Sequence, residues 1–155
     1  MRKLLLLLPL LVALLVANNV QSRREADALR RCVTDAQSDL RHLLDKASSA
    51  EQYGGAQLTS PNAPPAVRRS LAALVTGTVS RELPALRRDR AGCDYRVLPW
   101  HATDARDAYT AYLDARLLQL QTATQDRDAL HEDPARAARV RAQQALRDTG
   151  LRVSP

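Results

Sequence analysis

The densest run of chemistry-bearing residues is Trp100-His101-Ala102-Thr103-Asp104. It brings an aromatic wall, a ring that titrates near neutrality and an anion within five positions. Trp100, His101 and Asp104 form a candidate small-ligand site at a bundle end; the other candidate location is between helices near Arg116, where an Arg-lined pocket would suit a small dicarboxylate. The plainer reading makes Asp104 the acidic first turn of a helix and Trp100 a plug at a bundle end. That indole N–H would then find a carbonyl. Arg116 and Arg127 lie near an apolar helical stripe, where arginines commonly snorkel at the edge.

The other titratable clusters carry less. His42 lies between Asp39 and Asp45 at helical spacing, without a second strong ligand for a metal. His131-Glu132-Asp133 precedes Pro134 and does not form a helical HExxH motif. The sequence has no GxSxG elbow and no Gly-rich phosphate loop, and Gly54-Gly55 reads as a turn. No catalytic residue, metal or cofactor is therefore assigned, and a non-enzymatic protein is expected. Arg136, Arg139, Arg141 and Arg147 could make a basic side on the last helix. They lack the aromatic or motif support of a nucleic-acid interface, so no nucleic acid is expected. An anionic polymer or lipid headgroup suits them better.

Cys32 and Cys93 are the only cysteines, too far apart for a short zinc knuckle. In an oxidising compartment one intramolecular disulfide is expected. Closing a loop of that size stabilises by about 4 kcal/mol in the chain-entropy picture.

That compartment is argued from the first 22 residues. Met1-Arg2-Lys3 is a basic start, Leu4 to Ala17 an apolar run containing Pro9, and Asn18 to Ser22 a polar end before Arg23-Arg24. This is the pattern of an export signal. As a helix the run spans roughly 21 Å, short of the ~30 Å hydrocarbon core, which favours cleavage after Ser22 slightly over anchoring. The alternative is a signal anchor over residues 4–22, with the amino terminus inside. The location is extracytoplasmic either way, secreted or tethered to the cytoplasmic membrane.

The chain carries 23 basic and 17 acidic residues, a net charge of +6, and all but two of the basic residues are arginine. Phe is absent. Abundant Arg and Ala fit a GC-rich bacterial genome, and arginines scattered among acids mark a solvated surface.

The elements follow from periodicity. Ala26, Leu29, Val33, Ala36, Leu40, Leu43, Ala47 and Ala50 form an a/d seam over three heptads. Tyr53 to Pro65 is expected to be a loop. A second helix begins near Pro65, with Val67, Leu71, Leu74, Val75, Val79, Leu83 and Leu86 inward, and Pro84 kinking or restarting it. A third begins at Thr103 or Asp104 and continues towards Leu130, with Ala105, Tyr109, Tyr112, Leu113, Leu117, Leu120 and Ala123 inward. Asp133-Pro134 should cap a fourth, ending near Thr149 with Gly150 as a left-handed stop and Leu151 packing on Leu146. The expected fold is all-α, an antiparallel three- or four-helix bundle behind an apolar N-terminal helix. Residues 1–22 are the signal or anchor, 23–151 the bundle and 152–155 a short tail. Antiparallel return of the second helix would carry Cys93 towards Cys32, although a mirror about the loop sets Cys32 nearer Ala85.

The expected function is a helical cell-envelope module that binds a protein partner through its seam. A secreted small-ligand-binding protein or enzyme, with a site near Trp100 and His101, is the alternative. A third reading is a membrane-anchored coiled coil that oligomerises.

Overall fold

The computed structural model describes residues 2–58 and 64–153, with side chains from Pro9 to Gln52 and Pro64 to Val153 except Arg127. Four helices build it: α1 Arg2–Leu58, α2 Pro65–Gly92, α3 Asp104–Ala123 and α4 Arg136–Ala145. Single 3-10 turns at Arg127–Leu130 and Arg147–Thr149 follow α3 and α4. No strand occurs among the described residues. The protein is all-helical, as its 3.6-residue apolar period demands.

α1 is one unbroken helix from the apolar run through the heptad seam, roughly 85 Å long at 1.5 Å per residue. Gly54 and Gly55 lie inside it rather than in a loop. Glycine weakens a helix by about 1 kcal/mol relative to alanine without forbidding it, and Ala56 to Leu58 carry the turn onward. The rest of the expected breaker cluster, residues 59–63, lies outside the described residues. α2 opens with Pro65 in its first turn, where a missing N–H costs nothing. It runs on through Pro84 to Gly92 without restarting.

α1 packs on α2, α2 on α3 and α3 on α4. The seam is consumed by this packing. Leu29, Val33, Ala36, Leu40, Leu43 and Ala47 are buried, against Val79, Leu83 and Leu86 of α2 and Tyr109, Tyr112, Leu113 and Leu120 of α3. Ala26 stays exposed and Ala50 half-buried. Leu74 points outward, so the inner face of α2 is a narrower stripe through Leu71, Val75 and Val79. α3 buries Arg116 and Gln119 and leaves Leu117 half-buried.

α3 stops at Ala123 instead of reaching Leu130, and α4 begins at Arg136, later than Pro134. Asp133 does not cap α4. Its carboxylate takes Arg139 Nη2 at 2.9 Å, while Asp126 caps the 3-10 turn by accepting the Asp128 N–H at 3.0 Å. Gly150 has φ 73°, the left-handed stop its position required. Leu151 packs on the core, and Val153 is buried in it.

Lys46 meets Glu82 at 2.6 Å and Cys32 meets Cys93, so α1 and α2 are antiparallel. The cysteines are disulfide-bonded, with Cα atoms 5.1 Å apart. The register differs from a mirror about the expected loop at residues 53–65 because α1 extends to Leu58 and moves the reversal later. α2 then carries Cys93 opposite Cys32 directly, with no loop reaching back.

Upstream of the bundle α1 projects alone. Leu10, Leu11, Val12, Leu14, Leu15 and Val16 are all more than half exposed. Among the described residues, no helix is long and apolar enough to cross a membrane.

Candidate functional site

The connection from α2 to α3 crosses the face of α1. Its turn is set by sequence: Pro99 supplies a fixed φ at the second position, and the His101 N–H bonds the Leu98 carbonyl at 2.9 Å. On α1, Asn18, Gln21 and Glu25 stand three and four residues apart and so share one face. The two meet residue by residue. Glu25 Oε1 accepts the Leu98 N–H at 3.0 Å and the Gln21 amide at 3.1 Å. Glu25 Oε2 pairs with His101 Nδ1. Asn18 Oδ1 faces both the Trp100 indole N–H at 2.9 Å and His101 Nε2 at 3.0 Å. The Trp100 and His101 rings meet edge to face, with centroids 6.2 Å apart.

Partial burial pushes the Glu25 carboxyl up. Hydrogen bonds from His101, the Leu98 N–H and Gln21, with the His101 charge, outweigh that and hold it below its ordinary range. Both nitrogens of His101 are engaged by acceptors. The ring is thereby held between the Glu25 carboxylate and the Asn18 amide oxygen, and the arrangement is a clamp between loop and helix.

Below the clamp lies an open cleft of about 520 Å³. Glu25, Trp100, His101 and Asp104 line it, with Tyr95 and Arg106. Arg106 lies over the Tyr95 ring at 5.7 Å and donates to the Tyr95 carbonyl at 3.0 Å. Burial raises the Tyr95 phenol, and Arg106 partly offsets this. Asp107 is held low by the Thr103 hydroxyl and Arg106. The start of the connection is fixed by Arg90, which takes Asp114 at 2.7 and 3.1 Å and Asp94 at 2.8 Å.

Three of the four candidate ligand residues therefore converge: Trp100, His101 and Asp104 line one cleft. Trp100 is 70% exposed and does not plug the bundle. Arg116 lies elsewhere. It is buried rather than snorkelling, donates to Gln119 Oε1, and leaves its Nε without a partner. Gln119 in turn donates to the carbonyls of Ala129 and Glu132, so the pair orders the α3–α4 connection. The side chain of Arg127 lies outside the described residues. His42 lines a second groove of about 620 Å³ with Arg41, Asp45, Gly150 and Arg152. Among the described residues no cluster of His, Cys, Asp and Glu could hold a metal. His131 meets Glu51 at 3.2 Å on the surface.

Sequence reasoning missed Glu25 and Asn18, the centre of the clamp. It also missed a carboxyl pair between α1 and α2. Asp89 shares a hydrogen bond with Asp39 and is pushed up to about 6 by burial, by Asp39 and by Asp35. Its second oxygen is buried without a partner. Helical period by itself does not distinguish Asp35 and Asp39 from solvated surface acids. The signal lay in the antiparallel register, which sets Asp89 between Asp35 and Asp39 once Cys93 is opposite Cys32.

No family model matches this chain, and no curated protein or solved structure is similar to it.

Proposed function

We propose that this protein is a membrane-tethered helical module of the bacterial cell envelope, held by an uncleaved N-terminal segment and displaying a disulfide-closed bundle outside the cytoplasmic membrane. The observation that carries this reading is the clamp. Asn18 and Gln21 lie on the amino-terminal side of the candidate cut after Ser22, yet they bond Trp100, His101 and Glu25. Cleavage there would remove half of the loop's partners and cut inside a continuous helix. The balance between cleavage and anchoring thus shifts to anchoring. A second support is the projecting part of α1. Its successive exposed residues, Leu10 to Val16, leave no polar face, and a helix apolar all round needs apolar surroundings. The disulfide fits an oxidising location.

A protein partner docking on the heptad seam loses its support, because the bundle buries that seam. An oligomeric coiled coil through the seam loses it for the same reason. The bundle surface that remains is polar, with Leu74, Leu118 and Val140 the large apolar side chains exposed on α2, α3 and α4. A small polar ligand in the cleft beneath Trp100 is the second reading, favoured by the convergence of Tyr95, His101, Asp104 and Arg106 there. Membrane fractionation with an intact-mass measurement tests the first reading. A washed membrane fraction holding the chain with residues 1–22 attached is expected; a soluble chain starting at Arg23 overturns it.

A further inference from the structure

The α2–α3 turn leaves a groove of about 510 Å³ against α1. Its lining changes character along the helix. Leu14 and Ala17 come first, then Asn18 and Val20, and finally Arg24, with Leu98 and Trp100 as the opposite wall. From Leu14 to Arg24 is about 15 Å along the axis, and the lining turns from apolar to polar part-way, at Asn18 beside Trp100. Arg24 is exposed and has no acidic partner among the described residues, and Arg23 beside it is exposed too. Trp100 satisfies its only donor on Asn18, so its open ring has no further polar demand. An indole with its polar edge satisfied and its ring open belongs at a bilayer's headgroup boundary.

We infer that this groove seats an anionic phospholipid of the bilayer surface. Its acyl chain lies on Leu14 and Ala17, its glycerol region against Trp100, and its phosphate on Arg24. The inference rests on the tethered reading above. It adds a level in the membrane for the bundle and a lipid preference. The apolar-to-cationic gradient argues for a phospholipid over a protein segment, since it matches an acyl chain ending in a phosphate.

Trp100 is the sole tryptophan, so its emission comes from one place, the turn that walls this groove and the cleft beneath it. The full chain is reconstituted into phosphatidylcholine vesicles containing brominated phosphatidylcholine or brominated phosphatidylglycerol. Bromine is placed near the glycerol end or near the methyl end of the acyl chain. Flotation with the vesicles is recorded first. The expected result is that the chain floats and that glycerol-end bromine quenches Trp100 more than methyl-end bromine. Phosphatidylglycerol should be preferred over phosphatidylcholine, and Arg24→Gln should reduce that preference about five-fold, the worth of one basic residue at an anionic surface. A chain that floats while Trp100 is quenched by aqueous acrylamide and untouched by bromine overturns the lipid groove and leaves the tether standing. Equal quenching by both lipids, unchanged in Arg24→Gln, overturns the anionic preference. A chain that fails to float overturns the tether and the groove together.

Discussion

His101 has Glu25 on one ring nitrogen and Asn18 on the other, which ties the α2–α3 turn to α1 at two points. Replacing it with alanine leaves Glu25 a half-buried carboxylate with fewer donors. His101→Ala should cost about 1–3 kcal/mol of stability, read as a shifted urea midpoint. Asp89 acts in the opposite sense. Its folded pKa, about 6, exceeds its ordinary value of 3.8. Its contribution is fully present below the ordinary value and is lost as pH rises through about 6. Asp89→Asn should therefore raise the melting temperature at pH 7.5, by a gain on the order of 1–2 kcal/mol. The same substitution should do little at pH 4. Melting curves of both proteins across that range check it, and an unchanged pH profile would count against a shared carboxyl pair.

At the scale of elements, the helices rest on one disulfide and one long α1. Cys32→Ser with Cys93→Ser should cost about 4 kcal/mol, measured by denaturant unfolding. Gly54→Ala tests the end of α1. In a continuous helix it should stabilise by up to about 1 kcal/mol, whereas a turn with positive φ at Gly54 would make it destabilising. Much of this layer was legible. The a/d spacing of Leu29 through Ala47 predicted a buried seam, and Gly150 announced the left-handed stop of the last helical turn. The disulfide followed from topology and compartment together. What failed was the breaker signal at Gly54-Gly55, which α1 runs through. Pro84 does not restart α2, where burial of Leu83 and Leu86 beside it offsets the lost hydrogen bond. The clamp was not legible because Asn18 and Glu25 look like an interface residue and a surface charge. Only the turn at Pro99 brings His101 back across α1.

For the whole molecule, the N-terminal segment is a structural element of the fold. α1 carries the apolar run, the clamp and the core seam on one axis, so the polar turn at Trp100 lies level with the end of the apolar run. That geometry links location to stability: a chain lacking residues 1–22 loses Asn18 and Gln21 from the clamp. The bundle made as residues 23–155 should still fold, since its core lies downstream. It should be less stable than the full chain in detergent, and its Trp100 emission should shift to the red. The most direct test of the tethered account is the intact mass of the protein in its host, measured separately on washed membranes and on the soluble extracytoplasmic fraction. The account predicts one membrane-bound species retaining residues 1–22 and the internal disulfide. A soluble species beginning at Arg23 as the main product would contradict it.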